Sequence, residues 1–189
     1  MITTPHLHLI PCTGEHLEAI LRDKQALAAR LEVGIPETWP TFPESFEYAH
    51  YLLKLEPSLP ALGWWVYLFL HVNDRVLVGS GGFKAEPDAG GTVEIGYEIA
   101  SEYRNRGLAT EAAQGMIAYA FARPEVTAVE AHTVAEPNPS TRVLEKVGME
   151  YVRTLYGTED GDLWRWRITR QAFRARYRPS TPQAERRDS

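Results

Sequence analysis

The residues best placed for chemistry lie between Thr92 and Glu111. Val93, Ile95, Tyr97 and Ile99 alternate with Glu94, Gly96 and Glu98, the period-two pattern of a strand with two unlike faces. Glu94 and Glu98 are four apart, so a regular strand puts both carboxylates on one face. From Leu108 the period changes: Leu108, Ala109, Ala112, Ala113, Met116, Ile117, Ala120 and Phe121 recur at three and four, an amphipathic helix that ends before Arg123-Pro124. The joint between strand and helix reads Arg104-Asn105-Arg106-Gly107-Leu108-Ala109. A helix start carries unpaired N–H groups and the positive end of the dipole, and the side-chain-free Gly107 and small Ala109 leave room above it. The joint is a candidate pyrophosphate site. Two plainer readings stand beside it: Gly107 as a turn glycine, and Arg104 and Arg106 as a solvated charge pair.

Arg104-x-x-Gly107-x-Ala109, with Glu94-Ile95-Gly96-Tyr97 upstream, resembles the signature of the GNAT superfamily of acetyl-CoA-dependent N-acetyltransferases. The block Asn138-Pro139-Ser140-Thr141-Arg142-Val143-Leu144-Glu145-Lys146-Val147-Gly148-Met149 resembles its branch of ribosomal-protein N-terminal acetyltransferases. The resemblance covers residues 7 to 170. It implies an α/β (α+β) fold with a mixed, mostly antiparallel sheet of about seven strands, one splayed parallel pair and flanking helices. It implies acetyl-CoA as co-substrate and a primary amine as acceptor, either a protein N-terminus or a small molecule.

Carried onto this chain, the resemblance lays the pantetheine arm beside Ile99 and the pyrophosphate on the amides from Arg106 to Thr110. The cofactor-binding residues are then Ile99, Arg104, Asn105, Arg106, Gly107, Leu108, Ala109 and Thr110. Glu94 takes the position of the general base, acting directly or through water, against the alternative of a solvent-facing or structural glutamate. The tyrosine that many relatives use to protonate the departing sulfur is missing from Ser140-Thr141-Arg142-Val143-Leu144-Glu145. Ser140 is left as the candidate acid, or as the N-cap of its helix. Asn138 binds pantetheine or caps the same helix. Trp39, in the proline-rich loop, is a candidate wall of the amine pocket together with the late hairpin. A non-catalytic acyl-CoA-binding or sensing module is the rival of a different class.

A chain of 189 residues, 44% of them hydrophobic, can bury one sizeable core, and a single domain over residues 7–177 is expected. The charge of -5 argues against a nucleic-acid surface and favours a cationic or amine substrate. Cys12 stands alone, so no internal disulfide forms and a cytoplasmic protein is expected. The six histidines lack helical ligand spacing, and no metal is expected. No membrane partner is expected either; a homodimer is possible.

In chain order, Leu7 to Ile10 reads as an edge strand ending at Pro11, and Thr13 as the N-cap of one or two helical pieces. Residues 34 to 43 carry three prolines and read as a loop. A helix from Glu44 to Leu55 precedes strands over 64–72, 76–83 and 92–99. The long helix crosses to a parallel strand over 126–134. After Pro139 a helix runs to Lys146, a hairpin pairs 151–156 with 163–168, and 169–177 forms a last turn or two. Residues 178–189 read as a frayed tail. Gly79-Ser80-Gly81-Gly82 lacks the Lys-Ser/Thr of a P-loop and reads as close strand packing.

Overall fold

The computed structural model describes residues 1–55, 57 and 63–177; the expected tail lies outside them. Its strands are β1 (Ile2–Thr3), β2 (Leu7–Pro11), β3 (Val66–His71), β4 (Val76–Phe83), β5 (Thr92–Ile99), β6 (Ala128–Val134), β7 (Glu150–Thr158) and β8 (Gly161–Thr169). They form one sheet in the order β1-β2-β3-β4-β5-β6-β8-β7. All neighbours run antiparallel except β5 and β6. The helices are α1 (Gly14–Arg22), α2 (Lys24–Leu31), α3 (Glu44–Leu55), α4 (Leu108–Phe121), α5 (Pro139–Lys146) and α6 (Arg170–Arg176).

The sheet has eight strands rather than about seven. The additional one, β1, is a two-residue edge that pairs Ile2 with Leu9 and so turns the expected edge strand into an inner one. Two residues are too few to show a period, which is why the pattern in the sequence missed it.

Each sheet face carries its own apolar layer. On one side α4 presents Leu108, Ala112, Ala113, Met116, Ile117, Ala120 and Phe121 to Val93, Ile95 and Ile99 of β5 and to Val129 and Ala131 of β6. On the other, α1, α2 and α3 close over Trp65, Leu68 and Leu77 with Leu17, Leu27, Phe46 and Ala49. Thr13 caps α1 through a reciprocal bond with His16, and Asp23 breaks the segment into two helices by capping α2. Gly79 and Gly81 sit where a Cβ would strike the carbonyls of Glu98 and Gly96, as close strand packing requires.

The parallel pair is short. Thr92, Val93 and Glu94 pair with Ala128, Val129 and Glu130, and then the strands part, while β5 continues to Ile99 and β6 to Val134. Past the split, β5 stays paired only with β4 and β6 only with β8. A parallel pair that opens this way leaves backbone N–H and C=O groups on both inner edges in need of a partner.

Candidate active site

At the split, β5 points toward the start of α4. Gly107 is the N-cap residue of α4 with φ 81° and ψ −6°, a left-handed conformation that favours glycine, and no side chain caps the first-turn amides. A Cβ built on Gly107 would meet no atom within 4 Å, so the space over those amides is open. The turn thus favours glycine, and the space beside it is open.

The flanking side chains divide their work. Arg104 Nε donates to the Ile99 carbonyl at 3.0 Å and ties the end of β5 to the turn. Asn105 is left-handed at φ 62°. The Arg106 guanidinium lies 4.6 Å from the centre of the Tyr103 ring and 3.6 Å from the Asp74 carboxylate. In the first turn of α4, Glu111 receives the Thr4 hydroxyl at 2.5 Å and the His6 amide at 2.7 Å, which fastens the helix start to the β1–β2 connection.

Glu94, Gly96 and Glu98 share one face of β5, as the alternation implies. Glu94 receives Lys84 Nζ, and His132 Nδ1 lies 2.9 Å from the same carboxylate oxygen. Burial pushes the Glu94 carboxyl up, but the hydrogen bonds and charges of Lys84 and His132 together outweigh it and hold the group below the ordinary carboxylate value. Glu98 accepts the Ser80 hydroxyl at 2.8 Å and the Thr41 amide at 2.8 Å. Between the two carboxylates, a Cβ on Gly96 would meet nothing within 4 Å. A cavity of about 460 Å³ opens there between α3 and β4–β5, with Phe42, Tyr48, Trp65, Lys84, Gly96 and Glu98 among its walls.

Trp39 does not line it. Its side chain is fully buried, edge-on to Phe46 with ring centres 5.4 Å apart, and its indole N–H donates to Ser80 Oγ at 3.1 Å. A tryptophan has too much apolar area to leave on a loop when a helical layer can cover it. The aromatic walls include Phe42, Tyr48 and Trp65 instead, and the late hairpin contributes none. Trp39 acts on the cavity at one remove, through Ser80 to Glu98. Trp39→Ala is expected to cost about 3–5 kcal/mol of folding stability. Chemical denaturation measures this; a variant as stable as the wild type would contradict the burial.

At the start of α5, Asn138 Oδ1 accepts the Ser140 amide at 2.8 Å and the Thr141 amide at 3.1 Å, and its Nδ2 donates to the Glu136 carbonyl at 2.8 Å. Asn138 is the cap and its side-chain amide is spent on that role, which leaves Ser140 free of capping. Beside Ser140 stands the Tyr97 hydroxyl, buried and without a well-formed hydrogen bond. Burial pushes the Tyr97 phenol well up, and the Ser140 hydroxyl offsets part of that.

Sequence reasoning missed Tyr97, His132, Lys84 and Ser80 as site residues. Helical ligand spacing carries no information about a histidine on a strand, where His132 lies. Its signal is the strand register: Glu94 opposite Glu130 puts His132 on the carboxylate face, two residues past the split. Among the described residues there is no group of three or more metal-ligating side chains, and no helix is long and apolar enough to cross a membrane.

An eight-stranded mixed sheet that splits at one parallel pair, directly before a glycine-started helix, is the GNAT architecture. The acetyltransferase (GNAT) domain model matches residues 6–150, and the chain belongs to that family. A Bacillus subtilis relative known as the uncharacterized N-acetyltransferase YjdG is 28% identical over 130 residues, covering 64% of this chain and 76% of its own. The fold is shared with RimL, a ribosomal L7/L12 alpha-N-protein acetyltransferase solved in complex with coenzyme A. That structure has TM-score 0.65 and 16% identity, over 88% of this chain and 95% of the other. It is shared too with the ribosomal-protein-S5-alanine acetyltransferase of Vibrio fischeri, at TM-score 0.66 and 15% identity over 90% and 97%.

Proposed function

We propose that this acetyltransferase moves the acetyl group of acetyl-CoA to a primary amine, using residues 7–177 as one domain. The observation that carries the reading is the opening of β5 from β6 after Glu94, next to the uncapped start of α4. Pantetheine amides satisfy the freed strand groups beside Ile99, and the pyrophosphate rests on the amides of Leu108, Ala109 and Thr110, reached over Gly107. Arg104 and Asn105 shape that turn, and Arg106 adds positive charge at its rim.

The acceptor enters the cavity under α3, where Phe42, Tyr48 and Trp65 cover an apolar group and Glu98 attracts the ammonium. This favours an amine that carries a bulky apolar substituent, whether on a small molecule or at a peptide N-terminus. Glu94 drives removal of the amine proton. Ser140, with the Tyr97 phenol beside it, assists departure of the sulfur.

Thiol release from acetyl-CoA across a panel of amines, N-terminal peptides included, tests the reading. Glu94→Gln is expected to lower kcat by ~10²–10⁴-fold with acetyl-CoA affinity nearly intact. A Glu94→Gln enzyme that turns over at the wild-type rate at every pH would remove the carboxylate from the mechanism.

A further inference from the structure

His132 is a titratable side chain beside the opening that the family signature does not include. It lies on β6 two residues beyond Glu130, the last residue paired with β5. Gly96 stands two residues beyond Glu94 on the opposite bank. Side chains two apart on a strand share a face, so His132 stands on the face that carries Glu94, across the split from the open space over Gly96. Its side chain is 18% exposed, enough to meet a ligand in that space while most of the ring is held by protein.

The hydrogen bond decides which ring nitrogen is available. Nδ1 lies 2.9 Å from Glu94 Oε1. An ionised carboxylate only accepts, so Nδ1 carries the hydrogen and donates it, and in the neutral ring Nε2 is left with a lone pair. Among the described residues Nε2 has no hydrogen-bond partner. A carboxylate fixing an imidazole tautomer so that the far nitrogen can take a proton is the geometry of a carboxylate–histidine dyad.

Glu94 is less suited to take the proton itself. Lys84 and His132 converge on one of its oxygens and hold its carboxyl low, whereas a base works best when its proton affinity is matched to the working pH. An imidazole whose far nitrogen is bare is the better acceptor.

We propose that His132 is the proton acceptor in acetyl transfer and that Glu94 is a positioning residue acting through it; this rests on the acetyl-transfer reading above. The amine nitrogen donates its lone pair to the thioester carbonyl carbon, forming the C–N bond, and the proton it sheds passes to His132 Nε2. The C–S bond breaks, and its electron pair leaves on the sulfur of CoA. The imidazolium is stabilised through Nδ1–H by Glu94, and its proton is later lost to the thiolate or to water.

The charges around the ring come from every neighbouring strand. Glu94 and Glu98 face it from β5, and Lys84 from the end of β4. Glu130 shares its strand and is gripped by Arg165 at 2.6 and 2.8 Å and by Arg167 at 3.0 Å. Arg165 is the register partner of His132 on β8, and Arg153 stands behind it on β7.

The test uses the full chain with acetyl-CoA and the best amine of the panel. Wild-type kcat/KM should fall on the acid side with the slope of a single proton-accepting group. His132→Gln should lower kcat by ~10²–10⁴-fold, leave the acetyl-CoA Kd unchanged and erase that limb. His132→Ala should regain part of its rate with added imidazole, which a merely structural histidine would not allow. Long-range 1H–15N spectra of the wild type should show Nδ1 protonated and Nε2 bare; this readout needs no variant, and the opposite tautomer overturns the assignment. A His132→Gln enzyme with wild-type rate or an unchanged acid limb overturns the role of His132 alone. A wild type that binds acetyl-CoA yet acetylates none of the amines overturns the transfer reading, and the role of His132 with it.

Discussion

Gly107→Asp is expected to weaken CoA binding roughly a hundredfold more than Gly107→Asn, because one carboxylate held ~5 Å from a phosphate charge opposes it by about 3 kcal/mol at an effective dielectric near 20. The two side chains are isosteric, and both tolerate the left-handed backbone that Gly107 adopts better than other residues do. Each places its Cβ in space where no protein atom lies within 4 Å, so neither variant disturbs packing. An anion at a helix start favours the helix, which makes the Asp variant at least as stable as the Asn variant. Stability and affinity should therefore move in opposite directions. Calorimetry with CoA at two salt concentrations measures the difference, which shrinks as salt rises. Equal affinities for the two variants would move the pyrophosphate away from the start of α4.

The parts of this molecule that were legible in its sequence are those whose signal is local. α3, α4 and α5 lie where their helical periods put them, because each pattern is complete within its own segment. The Gly107 joint was legible for the same reason: strand, turn glycine and helix start are consecutive. What could not be read depends on register or on burial by distant elements. Trp39 sits among three prolines, a composition that suggests surface, yet α3 and the sheet enclose it completely. Tyr97 belongs to the apolar side of β5 by alternation, and only the position of α5 brings Ser140 to its hydroxyl. The meeting of His132 with Glu94 needs the β5–β6 pairing, a contact between residues thirty-eight apart in the chain. Asn138 and Ser140 were equally plausible caps on paper, and the geometry of one turn separated them.

Gly96→Val is expected to leave the protein as stable as the wild type or more so, while acetyl transfer falls by ~10²-fold, the cost of displacing a reacting group by about 1 Å. Gly96 is in the middle of β5, where glycine weakens a strand by roughly 0.5–1 kcal/mol and a β-branched residue suits the pleat. Its face is the carboxylate face, and the position of its missing side chain has no atom within 4 Å. A strand glycine with nothing pressing on it has no packing reason to be glycine. Its partner Gly82 differs, since a Cβ there would collide with the Trp65 carbonyl. The space over Gly96 lies between Glu94 and Glu98 and opens on the cavity under α3, so on the proposed reading it holds the attacking amine. Valine methyl groups would occupy that space. Because the start of α4 is untouched, CoA affinity should be kept, and the loss should fall on kcat and on the KM of the amine. A gain of up to about 1 kcal/mol raises Tm by roughly 2–4 °C in a chain of this size. Gly96→Ala, with one methyl group, should fall between wild type and valine in rate. Wild-type turnover in the valine variant would place the amine elsewhere, and a lowered Tm with lost CoA binding would show that the glycine serves the strand and not the substrate.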